Sequence, residues 1–515
     1  MIQIRDKRRQ GLAGWLAPAV AFALAVLALP NQPAAAFRAS AAATLTPPSP
    51  ESPLVGAYYS DWYPSNAAQG TLRAHLSPPQ GPSNAALDDA DPAVAAKAIA
   101  QASQAGVDFF ALDYWPNRPA QNANIDAFLK ADDLADIKFC IFYETWDTPS
   151  WDGPEEATVV TPALEATFDA NLTSFAQRYF DNPSYLRVDD RPVVVLYLTR
   201  TLAGDVAGMI TGARSTLENL GYNPYFIGDE IFWRVTDENL PATGSPLTHS
   251  PQTARIWDFD AITSYGLFAG GHGDPLSPQG DFKTYPGLTS LAADELSLYR
   301  RYAAATRGEV PVIPDATPGE NTRAVRRFVE EHAEPRQWTP GAGPASTLVH
   351  YLDDIDRPII DPRAPLLFVT TWNEWNEDTG IQPVGGTPTA RDDSRTGKGY
   401  SQGYVYGGEG DADLVAIRNF VAIAWGRAVP HTAVTATRDG VVVSATRANS
   451  LGWYVLRRAP QATGKLTVTS GVHHQNIQAS GGRATRIDFD SSAGLARRLS
   501  SSRVSTTPPT GRRGR

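Results

Sequence analysis

The stretch Leu366-Leu367-Phe368-Val369-Thr370-Thr371-Trp372-Asn373-Glu374-Trp375-Asn376-Glu377 changes character half-way. Its first residues are apolar or β-branched, as a strand buried on both faces requires. Its last six are indoles, amides and carboxylates, which such a strand cannot continue. The same change follows other apolar runs, at Tyr58-Tyr59-Ser60-Asp61-Trp62, Asp113-Tyr114-Trp115, Tyr143-Glu144-Thr145-Trp146, Gly228-Asp229-Glu230, Ser264-Tyr265 and Pro314-Asp315. One such change means little. Several at equivalent positions imply one face lined with acids and rings. In a (β/α)8 barrel the loops after the strand C-termini build the active site. The fold class expected is therefore α/β, a closed (β/α)8 TIM barrel, with a doubly wound open sheet as the alternative.

Working outward, eight short β-rich runs alternate with helical patterns. Strands are expected at 55–59, 107–112, 138–143, 192–198, 225–227, 260–263, 310–313 and 366–370. Helices are expected at 93–104, 162–178, 205–220, 288–307 and 411–426. The first has Asp91-Pro92 before it and Gly106 just past its end, the usual start and stop signals. This places a catalytic barrel over 54–428. Alternating β patterns then run from Thr432 to Phe489, which gives a small all-β appendage over 431–490. Residues 496–515 are rich in Ser, Thr, Pro and Arg and read as a disordered basic tail.

At the other end, Arg5, Lys7, Arg8 and Arg9 precede an uncharged, mostly apolar run from Gly11 to Leu29, and Ala34-Ala35-Ala36 offers small residues for cleavage. Residues 1–36 therefore read as a signal peptide, with an uncleaved signal anchor as the alternative. Arg8-Arg9-Gln10-Gly11-Leu12 weakly resembles a twin-arginine signal, with Gly11 where an apolar residue is usual. Residues 37–53 are Ala-, Ser-, Thr- and Pro-rich and read as a flexible linker. The expectation is a secreted or cell-envelope protein, with any membrane attachment through that anchor alone.

The chain has 515 residues, 42% hydrophobic, and a formal net charge of −10, which repels nucleic-acid phosphate. With Cys140 as its single cysteine it can form no internal disulfide, and Cys140 lies in an apolar run that reads as a buried strand. No H-E-x-x-H, G-x-S-x-G or phosphate-loop pattern occurs, and His473-His474 reads as a surface pair.

Glycosidic cleavage needs a proton donor at the leaving oxygen and a second carboxylate as nucleophile or base. Glu374 and Glu377 are three apart, so a helical or 3₁₀ turn would aim both the same way. Repulsion between them would keep one protonated. Trp372 and Trp375 would exclude water and hold sugar faces.

Trp372-Asn373-Glu374-Trp375-Asn376-Glu377-Asp378-Thr379-Gly380-Ile381-Gln382-Pro383 resembles the N-E-W-x-E-G-T-x-I-E-P signature of glycoside hydrolase family 99, the endo-α-mannosidases, and their bacterial relatives. The order of strand motifs from about Leu54 to Gly426 is also similar. The resemblance implies a retaining, endo-acting glycosidase that needs no metal or other cofactor. It implies Glu374 as base on the sugar's own 2-hydroxyl, giving a 1,2-anhydro intermediate, and Glu377 as general acid and then base. Tyr265 matches a family tyrosine in the site and Glu144 a strand-end carboxylate near it. This chain departs from the signature in having Asn376 for a histidine, Asp378 for a glycine and Gln382 for a glutamate.

The remaining substrate-binding candidates are Tyr59, Trp62, Asp113, Tyr114, Trp115, Trp146, Asp229, Glu230, Asp315 and Asn373, with Trp233 as a further platform. For the acids a salt bridge or helix cap is the competing reading, and Arg323 is expected to pair with Asp315. The partner expected is a polysaccharide or glycan, with no nucleic acid, and the protein is expected to be a monomer. The competing functions are a non-catalytic carbohydrate-binding or envelope scaffold protein on the same barrel, and a transglycosylase.

Overall fold

The computed structural model describes residues 44–64, 71–83, 87–145, 158–232, 254–267, 285–306, 308–325, 333–385, 399–401, 404–406, 410–489 and 496–497. The expected signal segment, Trp146, Trp233 and most of the C-terminal tail lie outside them. No helix among the described residues is long and apolar enough to cross a membrane.

Eight parallel strands form the barrel: β1 Leu54–Tyr59, β2 Val107–Tyr114, β3 Lys138–Glu144, β4 Arg191–Tyr197, β5 Tyr225–Asp229, β6 Ala261–Thr263, β7 Val312–Ile313 continued by Asp315–Ala316, and β8 Leu366–Val369. Each pairs with the next in chain order, and β8 pairs with β1. β7 is split by Pro314, which has no N–H to give the ladder. Its first half pairs with β6 and its second with β8, so the ring closes through the interruption. The Pro314 carbonyl still accepts from Phe368 N, at 3.0 Å.

The sequence explains the local choices. Asp91 accepts from Ala93 N, Pro92 opens α1 (Pro92–Ala105), and Gly106 ends it at φ 80°. Gly56 in β1 is there for space: a Cβ would lie 2.1 Å from the Phe109 ring. Cys140 is buried, and burial pushes its thiol far from ionisation.

Three expectations need correction. The helix expected over 411–426 ends at Val421, and Ala422–Arg427 is a strand paired with Trp453–Arg457. Ile423 and Ala424 pack with Val434, Leu456 and Ile487 in a second core, a stronger claim than one more helical turn. The linker is tied down in its second half: Thr46 N donates to Ala445 O at 2.9 Å, and Ala445 N donates to Thr46 Oγ1 at 2.7 Å. Within the tail, Ala496–Arg497 pairs with Asp488–Phe489.

The β region docks at the N-terminal ends of the barrel strands. Arg457 reaches Asp108 at the start of β2, and Asn449 Nδ2 donates to Ser103 Oγ of α1 at 3.2 Å. That face is opposite the strand ends that carry the acids, so the β region does not line the cleft.

Outside the barrel, Tyr351 Oη lies 2.7 Å from Glu334 Oε1 and 3.2 Å from Glu295 Oε1. One phenol has one proton to donate, so a carboxyl must hold the other and donate back. Burial accordingly pushes Glu334 from 4.5 to about 8. It pushes Glu295 and Asp356 well up too, with repulsion from Glu334 and Asp356 adding to the first and from Asp315 to the second. Between pH 4.5 and 8 the folded protein holds protons that the unfolded chain has released, so stability falls as pH rises. The urea midpoint should therefore drop between about pH 5.5 and 8.5, and Glu334→Gln should flatten that drop. A wild-type midpoint that is level or rising over this range would contradict the assignment.

Candidate active site

β8 runs straight into the motif turn. Trp372 N donates to Tyr58 O at 2.7 Å, prolonging the β1–β8 ladder by one bond. Asn373 then bridges to the β1 loop, its Oδ1 accepting from Ser60 N and its Nδ2 donating to Ser60 O, both at 2.8 Å. Thr371 Oγ1 accepts from Glu374 N at 2.8 Å, fixing where the carboxyl side chain leaves the turn. Glu374 Oε1 accepts from Asn376 N at 2.8 Å and from Glu377 N at 3.4 Å.

Glu374 is buried, and Glu377 is half-buried. Burial first, and repulsion from Glu377 second, hold the Glu374 carboxyl well above the ordinary carboxylate range. The two backbone N–H donors oppose that shift without cancelling it.

Two of the three departures from that signature, Asp378 and Gln382, have local side-chain partners. Asp378 sits at φ 56°, a left-handed conformation that glycine adopts freely. Its carboxylate is held by Arg73 Nε at 2.6 Å and Arg336 Nε at 3.2 Å, both buried. Gln382 Oε1 accepts from Trp375 Nε1 at 2.9 Å, so a neutral amide meets the indole where a glutamate would bury a charge.

Tyr265 follows β6, two strands from this turn and within reach of its charges. Its ring packs edge-on against Tyr58 and Tyr197, centroids 5.0 Å apart in each case, and stacks with Phe142 at 5.6 Å. Burial raises its hydroxyl pKa, and the charges of Glu377, Glu374 and Glu144 raise it further. Asp113 and Glu144 form a second acid pair. Burial pushes Asp113 to about 7 and Glu144 well up, and each acts on the other. Asp113 in turn raises Glu374. Glu374, Glu377, Tyr265, Asp113 and Glu144 are thus one electrostatic unit at the strand C-termini. No group of three or more His, Cys, Asp or Glu among the described residues is arranged to hold a metal.

Comparison with known proteins finds likeness in fold and, over part of the chain, in sequence. A solved structure described as a glycoside hydrolase-like protein matches with a TM-score of 0.51 at 15% identity, covering 73% of this chain and 96% of its own. That likeness is one of fold, a (β/α)8 barrel. A family 99 endo-α-mannosidase from Bacteroides thetaiotaomicron matches at 17% identity and a TM-score of 0.46, covering 71% of this chain and 95% of its own. Residues 53–260 match the family model described as glycosyltransferase WbsX. Two strains of Xanthomonas campestris pv. campestris each have a protein described as uncharacterized protein WxcX that is 25% identical over 260 residues. That match takes in 49% of this chain and spans only 33% of the relative's length.

Within the barrel, strand alternation separates the expected site residues. Tyr59 points outward, its ring against Phe110 and Phe128 and its hydroxyl donating to Asp89 Oδ1 at 3.0 Å. Tyr58, one residue earlier, faces the barrel axis beside Tyr265. Tyr114 also points outward, donating to Asn171 Oδ1 at 3.0 Å. Trp372 is fully buried against Phe110. Trp375 is buried in a small cluster with Tyr63 and Val384, against which Trp62 packs. Trp115 is buried too, its Nε1 donating to Asp113 Oδ2 at 2.7 Å and its ring covered by Arg118.

Among the acids, Glu230 is paired with Arg255 at 2.9 Å and Asp229 with Arg200 at 2.5 Å, both away from solvent. Arg323 does not pair with Asp315, whose carboxylate accepts from Thr370 and Gly266 instead. Asp61 is the member that sequence reasoning passed over. It is buried beside Asp113, and burial and Asp113 push it well up. Its place in the Tyr58-to-Trp62 strand end was the available signal.

Proposed function

We propose that the protein is an exported glycoside hydrolase that cuts a polysaccharide or glycan through Glu374 and Glu377. The observation that carries this is the Glu374–Glu377 turn at the end of β8. It sets a buried, proton-binding carboxyl beside a half-exposed one, with Tyr265 within reach of their charges. Two carboxylates of unlike environment are what acid and base roles require.

In the mechanism that the family 99 resemblance suggests, Glu374 takes the proton from the sugar 2-hydroxyl as that oxygen attacks C1. Glu377 gives its proton to the departing glycosidic oxygen, leaving a 1,2-anhydro sugar. Water then attacks C1, giving its proton to Glu377, while the opening oxygen recovers its proton from Glu374. C1 inverts twice, so configuration is retained. Burial makes Glu374 a strong base once ionised and also delays its ionisation. The acid limb of the pH–rate profile should therefore lie above the ordinary carboxylate range. Export rests on the N-terminal basic and apolar segments.

The match to a family described as a glycosyltransferase favours a second reading, in which a sugar hydroxyl replaces water as acceptor. A screen of polysaccharides with reducing-end detection tests the first. Wild type should release reducing ends from at least one polysaccharide, and the Glu374→Gln/Glu377→Gln protein from none. Release by both would remove this pair from the chemistry.

A further inference from the structure

Asp315 was a candidate sugar ligand, and its contacts give it a different task. It follows Pro314 on β7, and one carboxylate oxygen serves two neighbours. Oδ2 accepts from Thr370 Oγ1 at 2.6 Å and from Gly266 N at 3.2 Å. Thr370 follows β8 directly and precedes Thr371, whose Oγ1 receives Glu374 N. Gly266, at φ 64°, follows Tyr265. Tyr265 N is held from the other side by Asp229 Oδ1 at 3.2 Å. The backbone of Asp315 is fixed as well: its N donates to Tyr299 Oη at 3.1 Å, and that hydroxyl lies 2.8 Å from Ser264 Oγ. Asp315 is only 6% exposed, and its described partners are protein groups beside β6, on β8 and on the Tyr285–Ala305 helix.

We infer that Asp315 is a positioning residue for the reaction. Its single carboxyl sets the spacing between the Tyr265 corner and the strand end that carries Glu374 and Glu377. This rests on the hydrolase reading of that pair. The β6–β7–β8 ladder, which includes Thr370 N donating to Ala316 O at 3.0 Å, holds the strands, and the Asp315 carboxyl adds the side-chain tie beyond their ends. The Glu374 turn is hung from β8 and β1, the Tyr265 corner from β5 and β6, and Asp315 on β7 is the strand between them. Displacements of about 1 Å at reacting groups cost on the order of 100-fold in rate.

The test uses three variants of the full protein. Asp315→Asn keeps an oxygen acceptor and should retain kcat within about threefold. Asp315→Ala removes it and should lower kcat about 100-fold with KM within about threefold. Thr370→Val removes only the donated hydroxyl and should lower kcat about tenfold, and it stands as the test should Asp315→Ala fail to fold. Crystal structures of the alanine and valine variants should show Tyr265 shifted relative to Glu374. The inference is overturned if a folded Asp315→Ala or Thr370→Val keeps wild-type kcat, or if Tyr265 and Glu374 superimpose on wild type. The structural readout does not depend on the choice of substrate. Failure of the hydrolase reading shows separately, as turnover surviving in Glu374→Gln/Glu377→Gln.

Discussion

Glu377→Gln should lower turnover about 10³- to 10⁴-fold on a natural glycan, with the fold unchanged. A general acid contributes on the order of 10²- to 10⁴-fold, and here the same group must act as base in the second step. The amide would keep the shape of the side chain and lose the transferable proton. The backbone N–H at this position would still point at Glu374 Oε1, now 3.4 Å away, so the turn should hold. Steady-state kinetics beside a thermal melt checks this. Activity within about tenfold of wild type on an unactivated glycan would remove Glu377 from the acid role. A protein that no longer folds would make the residue a structural one.

The second large effect is on stability. Arg336 is buried and ties the motif loop to Asp413 on the Ala412–Val421 helix. Its Nη1 donates to Asp413 Oδ2 at 2.9 Å, its Nε to Asp378 Oδ2 at 3.2 Å, and its Nη2 to the carbonyls of Asp378 and Gly380 at 2.8 and 2.7 Å. Removing one partner of a buried ionic network costs about 3–5 kcal/mol, because the charges left behind stay desolvated. Arg336→Met should cost that much by denaturant titration. It should also lower turnover, since Asp378 follows Glu377 directly. A loss below about 1 kcal/mol would mean that Arg73 alone holds Asp378.

Much of this was legible in the chain, and the failures have one physical source. β-branched and aromatic runs marked all eight barrel strands, because a parallel strand is apolar on both faces and stands out from its helices. The closing turn was legible because Glu374 and Glu377 have no reason to sit among indoles at a strand end. What sequence did not decide was direction. Tyr58 and Tyr59 are adjacent in the chain and face opposite sides of the sheet, and no feature of their types says which is inside. Asp229, Glu230 and Asp315 looked alike as strand-end acids. Arg200 and Arg255, distant in sequence, claim the first two, and a threonine and a backbone N–H claim the third. The 411–426 helix was overrun because Ala422-Ile423-Ala424 suits either period until a second sheet takes it.

On the proposed reading, Glu374 and Glu377 together break a glycosidic bond with water. The most direct measurement is digestion of a responsive polysaccharide in ¹⁸O-labelled water, followed by mass spectrometry of the new reducing ends. One labelled oxygen per bond cut, with no label above background from the Glu374→Gln/Glu377→Gln protein, is the expected result. Cut chains without label would mean transfer to a sugar acceptor, and equal labelling by both proteins would mean that the chemistry lies elsewhere. Either would contradict it.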